Sequence, residues 1–307
     1  MITQIKKCRI CSNTDLVPVV DLGEQYLTGI FLSHKAETLA KGPLRLMKCH
    51  GGENVCGLLQ LEHNYDLNQL YGENYGYRSG LNASMVSHLH SKVATIIERC
   101  DLNKGDLVID IGSNDGTTLA AYPNHLQLVG IDPTGEKFGI LYEKHIVLIP
   151  EFFCSDLVTS SYPGKKAKVV TSFSMFYDLE DPVDFACQVA AILDPHVGIW
   201  VLEQSYMPLM LERTAYDTIC HEHLEYYGLK QIVWLMGKAG LEVVDVELND
   251  VNGGSFSVIV AHKGSRHADV ENMADRLIAS ENSKGLASLE PYKQFSHKTE
   301  ENKHSSQ

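Results

Sequence analysis

The sequence predicts an α/β protein: a doubly wound, mostly parallel sheet preceded by a small cysteine-bearing module. Three observations lead there. Short apolar runs at 106–111, 126–132, 146–150, 168–173 and 198–204 alternate with stretches that read as helices, the pattern of buried strands joined by crossovers. The first run continues as Val108-Ile-Asp-Ile-Gly-Ser-Asn-Asp-Gly116, a glycine-bearing turn at the carboxyl end of a strand, where such sheets place their ligands. Four of the eight cysteines fall within the first 56 residues, which sets that part apart from the rest.

At 307 residues the chain holds one large or two ordinary domains, and 44% hydrophobic residues is an ordinary globular share. A net charge of −13 lacks the basic field that nucleic-acid binding draws on. No apolar run is long enough to span a bilayer, and no apolar leader core follows Met1. The expectation is a cytoplasmic protein with neither a nucleic-acid nor a membrane partner. Clustered cysteines in such a chain read as metal ligands before disulfides.

Residues 1–75 form the expected module, with short strands at 17–22 and 58–61 and too little core to stand without a staple. Cys8-x-x-Cys11 followed by Cys49-x6-Cys56 suits a tetrahedral zinc site of four thiolates, with His50 as an alternative ligand. Four protein ligands leave no open position, so the metal holds structure. The junction Tyr71-Gly-Glu-Asn-Tyr-Gly-Tyr-Arg-Ser-Gly80 mixes aromatic, polar and glycine residues that could line a cleft.

Residues 76–264 form the main domain. Leu81, Met85, Val86, Leu89, Val93, Ile96, Ile97 and Cys100 recur at helical spacing. Asp181-Pro182 starts a helix over 182–193, and Gly240 stops one over 229–239. Strands at 241–248 and 255–262, joined by a turn-rich loop without a helix, predict an antiparallel edge. Residues 265–307 read as a polar, helical tail with no visible core contribution, or as the start of a truncated C-terminal domain.

The turn after the first strand is not Gly-x-Gly-x-x-Gly. Asp110 and Asp115 stand where the outer glycines belong, which weakens a pyrophosphate reading. Twenty-two residues after Asp110, Gly130-Ile-Asp-Pro133 ends the next strand with an acid suited to a ribose diol. An acidic turn with Asp132 one strand later fits a cationic, ribose-bearing ligand, S-adenosylmethionine (SAM). Ser113, Asn114, Gly116, Pro133 and Ser174 are the further candidate contacts.

After the fifth strand comes Tyr216-Asp-Thr-Ile-Cys-His-Glu-His-Leu-Glu-Tyr-Tyr227, with two histidines, two glutamates and three tyrosines. The histidines are two apart and cannot share a helical face for zinc. His223 beside Glu222 reads as acid/base equipment instead.

These residues resemble the sugar C-methyltransferases that act on nucleotide-linked 4-keto-deoxysugars. The resemblance runs along nearly the whole chain, through Cys8-Arg-Ile-Cys11, Cys56-Gly-Leu-Leu-Gln-Leu61, Tyr75-Gly-Tyr-Arg-Ser-Gly80, Asp110-Ile-Gly-Ser-Asn-Asp-Gly116, Glu203-Gln-Ser-Tyr206, His221-Glu-His223 and Asn252-Gly-Gly-Ser-Phe256. It implies a zinc module and a Rossmann-like class I SAM methyltransferase domain with a seven-stranded sheet. It also implies that His223 takes the proton beside the ketone, giving an enolate that receives the methyl at a carbon, usually C3. Glu222 and a tyrosine of the pair Tyr75 and Tyr77 would help bind the sugar; His221, Tyr216 and Asn252 are further candidate substrate contacts.

The chain departs from the pattern where many members have Tyr in place of Cys220, and His within the stretch held here by Ser174-Met-Phe-Tyr-Asp178. It also stops about a hundred residues before full members do. Two alternatives share the cofactor half: transfer to oxygen or nitrogen of another small molecule, and SAM binding without turnover.

Overall fold

The computed structural model describes residues 2–29, 40–71, 75–267 and 273–305. Its centre is a sheet of β1 (Leu107–Ile111), β2 (Gln127–Ile131), β3 (Ile146–Ile149), β4 (Ala167–Phe173), β5 (Ile199–Ser205), β6 (Leu241–Asn249) and β7 (Ser255–His262). The order is β6-β7-β5-β4-β1-β2-β3. Strands β1 to β5 are parallel, and β7 runs antiparallel to both β5 and β6. The seven-stranded, Rossmann-like sheet is therefore present, with the helix-free link forming its antiparallel edge. Because β2 lies on one side of β1 and β4 on the other, the crossovers diverge above β1 and leave a crevice there.

All of β1 is buried, and β5 is buried as far as Gln204. One face packs Leu107, Ile109 and Trp200 against Val189 and Ile232, from helices Pro182–Ile192 and Leu229–Lys238. The other packs Val108, Val169 and Val201 against Val93 and Ile96 of helix Ala83–Arg99. Cover on both faces is why these strands are continuous apolar runs. The Asn82 side chain accepts from the Ser84 N–H and starts that helix after Leu81, which stays exposed.

The N-terminal module is an antiparallel sheet of Leu16–Tyr26, Lys41–Cys49 and Leu59–Leu61, and its fourth strand is Glu225–Tyr226. That strand comes from the histidine-rich run, so the module and the main domain share a sheet.

The tail corrects an expectation. Tyr292 and Phe295 of helix Glu290–Ser305 are 1% exposed and pack with Leu46, Leu59 and Met207. Two aromatics three apart in a polar helix bury one narrow stripe. Glu281, in helix Met273–Ser283, accepts from the N–H groups of Leu229 and Lys230 and from the Tyr206 hydroxyl. It caps helix Leu229–Lys238, whose own N-cap residue, Gly228, has no side chain. Among the described residues no helix is long and apolar enough to cross a membrane.

Candidate active site

A cavity of about 520 Å³ opens above β1 and β2, within the range of small-molecule sites. Asp110, Gly112, Ser113, Asn114, Asp132, Pro133 and Ser174 line it, with Tyr75 and Tyr77. Gly112 has φ 75°, and a Cβ there would fall 2.8 Å from Met175 Cγ, so the turn admits no side chain. Gly116 does not line the cavity; it sits at φ 79° ahead of the short helix Thr117–Ala120.

The two acids differ in surroundings. Asp110 is buried at the end of β1 and accepts from the Thr171 hydroxyl. Burial pushes its carboxyl up to about 7, with the Thr171 hydrogen bond pulling the other way. Asp132 accepts at Oδ2 from the Asn114 N–H (2.7 Å) and at Oδ1 from the Thr134 N–H (2.7 Å). The Thr134 hydroxyl also donates to Oδ1, which uses both of that oxygen's lone pairs, so Oδ2 is the oxygen that can still accept from a hydroxyl. A buried acid pair beside a backbone turn that excludes side chains fits a cationic, ribose-bearing cofactor.

The Tyr75–Gly80 segment is strapped across the same turn, and Gly72, Glu73 and Asn74 of the junction lie outside the described residues. Arg78 Nε (3.0 Å) and the Gly80 N–H (2.9 Å) both donate to Asp115 Oδ2. The Ser79 N–H donates to Asn114 Oδ1 (3.0 Å), and Asn114 Nδ2 donates to the Tyr77 carbonyl (3.2 Å). Asp115 therefore serves the strap, while Asp110 and Asp132 serve the cavity.

At the other end the Tyr71 hydroxyl donates to Asp178 Oδ2 (2.7 Å), and the rings of Tyr71 and Tyr75 lie 5.3 Å apart. Burial pushes the Asp178 carboxyl well above the carboxylate range, and the nearby His223 pulls it down. The His223 ring lies 4.1 Å from that of Tyr177, and its Nδ1 is 3.0 Å from the Thr218 carbonyl. A carbonyl only accepts, so this contact places hydrogen on Nδ1 and leaves Nε2 with the lone pair of the neutral ring. Burial raises the half-buried Glu222 carboxyl, with His223 again opposing.

The sulfurs of Cys8, Cys11, Cys49 and Cys56 all lie within 4.8 Å of one another. Zn–S bonds of about 2.3 Å in a tetrahedron set sulfurs about 3.8 Å apart, and the Cys8–Cys56 and Cys11–Cys49 separations are 3.4 and 3.5 Å. The four thiols fit zinc, and His50 is not among them.

Models of known families match in three successive pieces: a zinc binding domain over residues 8–71, a methyltransferase domain over 85–246 and a C-methyltransferase C-terminal domain over 250–307. The C-methyltransferase NovU of Streptomyces niveus is 30% identical over 301 residues, covering 96% of this chain and 70% of that protein. This chain belongs to the C-methyltransferase family. Solved structures resembling it include a SAM-dependent methyltransferase of Clostridium acetobutylicum (12% identity, TM-score 0.46, 58% of this chain and 92% of that one). Another is the magnesium protoporphyrin IX methyltransferase of Synechocystis with bound SAH (14%, 0.44, 64% and 93%). The chain is a SAM-dependent methyltransferase with a zinc-binding module at its N-terminus.

Five candidate residues, His221, Glu222, His223, Tyr216 and Asn252, are not among those that line the cavity; Glu222 and His223 stand next to Asp178, which does. His221 is fully buried; its N–H donates to the Thr28 hydroxyl, its Nε2 meets the Gly42 carbonyl at 3.2 Å, and its ring stands edge-on to Tyr65. The chain turns here, with the His223 N–H bonded to the Cys220 carbonyl, so the two histidines part company. Tyr216 packs against the module's core, and Asn252 is exposed in the turn Val251–Gly253. The sequence reading missed Phe152 and Phe153, which line the cavity just past β3. Their place after a carboxyl strand end was the available signal, obscured by the weakness of β3 as an apolar run.

Proposed function

We propose that this enzyme methylates the carbon beside the ketone, C3, of a nucleoside-diphosphate 4-keto-6-deoxysugar in the cytoplasm. One observation carries the reading: His223, its Nδ1 tied to the Thr218 carbonyl and its Nε2 free, does not itself line the cavity but neighbours Asp178, which does. A base with a fixed tautomer next to hydrogen-bond donors suits carbon acids, whose weak acidity demands both proton removal and stabilisation of the oxyanion.

His223 Nε2 removes the proton from the carbon, whose bonding pair moves into the C–C bond while the ketone oxygen takes the charge. Tyr75 is the donor at that oxygen, since burial raises its hydroxyl and keeps it protonated. Glu222 and Tyr77 hold the sugar. When bound, SAM supplies an electrophilic methyl group, with Asp110 and Asp132 disposed toward its charged amino acid end and its ribose.

His223→Ala tests this reading. SAM titrated calorimetrically is expected to bind as to the wild type, while methyl transfer to the keto-sugar nucleotide is lost. Transfer that survives the substitution removes His223 as the base.

A further inference from the structure

One carboxyl of the cavity has no role in the proposed enolisation. Asp178 lines the cavity wall, and its Oδ2 accepts from the Tyr71 hydroxyl. Its Oδ1 is shielded from solvent and has no hydrogen-bond partner among the described residues. No Lys or Arg forms an ion pair with Asp178 among the described residues either. The titratable groups facing it are His223, Glu222, Cys220 and Tyr226 from the histidine-rich run, and Tyr71, Tyr75 and Tyr177. An ionised carboxylate here would leave a charged oxygen unmatched in a shielded place, which is costly. A neutral acid avoids that cost. With Oδ2 occupied as an acceptor, the proton resides on Oδ1, the atom that has no partner. Burial acts in the same direction, holding the Asp178 carboxyl well above its usual range.

Resting on the proposed enolisation, we propose that Asp178 is a further catalytic residue, a neutral carboxylic acid whose Oδ1–H, covered in the ligand-free protein, turns toward the cavity when the sugar binds and donates to the ketone oxygen as that oxygen gains charge. The step balances within the chain. The carbon's proton goes to His223 Nε2, the C–H pair becomes the enolate double bond, and the carbonyl π pair moves onto an oxygen held by the Asp178 hydroxyl. When the carbon takes the methyl, the carbonyl re-forms and Asp178 keeps its proton. Such a donor acts as an oxyanion hole; a buried acid kept neutral for this purpose has a precedent in ketosteroid isomerase.

The test follows wash-in of deuterium from D2O at the carbon beside the ketone, by NMR, in a keto-sugar nucleotide without SAM. Asp178→Ala is expected to slow it about 10²–10³-fold, whereas Asp178→Asn, which keeps a donor, retains most of it. Wild-type exchange falls as pH rises through the ionisation of Asp178, and that loss is absent in Asp178→Asn. Infrared difference spectra of the ligand-free wild type against Asp178→Asn at pH 7.5 are expected to show a protonated-carboxyl stretch. Wild-type exchange rates in Asp178→Ala, equal losses in Asn and Ala, or a missing stretch overturn the assignment alone. Failure of the wild type to exchange any keto-sugar nucleotide overturns the functional reading, and this proposal falls with it.

Discussion

Arg9, between the first two cysteines of the zinc site, places its Nε 3.6 Å from Glu225 Oε1, with side chains only 3% and 0% exposed. Arg9 also donates to the carbonyl of Leu61 at 2.8 Å, so it ties the cysteine knuckle to both strands on which the histidine-rich run rests. Burial drives the Glu225 carboxyl up while Arg9 pulls it down. Arg9→Met strands these acceptors in the interior. The expected loss is about 3–5 kcal/mol, read as a drop in midpoint in urea unfolding. Glu225→Gln, which keeps the shape and half of the polar atoms, is expected to lose less.

Zinc removal reaches the same run. Leu59–Leu61 pairs with Glu225–Tyr226, and Gln231 Nε2 donates 2.9 Å to the Cys56 carbonyl, so loosening the cysteines loosens both contacts. A chelator is expected to raise amide hydrogen exchange across 221–227 as well as across the module. SAM affinity is expected to change less than the transfer rate, because the turn at 110–116 is held by the strap and by β1.

The cofactor acids separate by substitution. Asp132→Ala removes the acceptor disposed toward the ribose and is expected to weaken SAM binding about 10–100-fold, the worth of one or two charge-assisted hydrogen bonds, by calorimetry. Asp115→Ala frees Arg78 and Gly80 instead. It is expected to raise hydrogen exchange over 75–80, with a smaller loss of affinity.

Asp110 gives the ligand-free protein a pH signature. Its folded-state pKa is raised to about 7, above the ordinary unfolded value near 4. The native state therefore holds a proton that the unfolded chain has lost, and stability falls as pH rises between about 4 and about 7. Asp110→Asn is expected to abolish that part of the fall in melting temperature. Thr171→Val removes the hydrogen bond that favours the charged form, and is expected to extend the fall to higher pH.

The sheet was legible because β1 and β5 are covered on both faces and so write uninterrupted apolar runs. Its antiparallel edge was legible because the loop at 249–254 has no room for a crossover helix. That Asp110, Gly112 and Asp132 line one cavity was legible, since local turn chemistry fixes those positions. The acceptor half depends on how segments far apart in the chain meet. Nothing local to His221 says that the Gly42 carbonyl and Tyr65 will claim its ring. Nor does the polar sequence around Tyr292 and Phe295 announce that two aromatics there complete the module's core. Nor does anything local to Asp115 say that Arg78 and the Gly80 N–H will occupy it.

The central claim is that the methyl goes to a carbon beside a ketone. Incubating the zinc-loaded enzyme with methyl-labelled SAM and a panel of dTDP-, GDP- and CDP-4-keto-6-deoxysugars, then locating the label by NMR, tests it directly. The account predicts one labelled methyl bonded to C3 of a single class of these sugars. A label on oxygen or nitrogen, or transfer only to acceptors without a ketone, would contradict it.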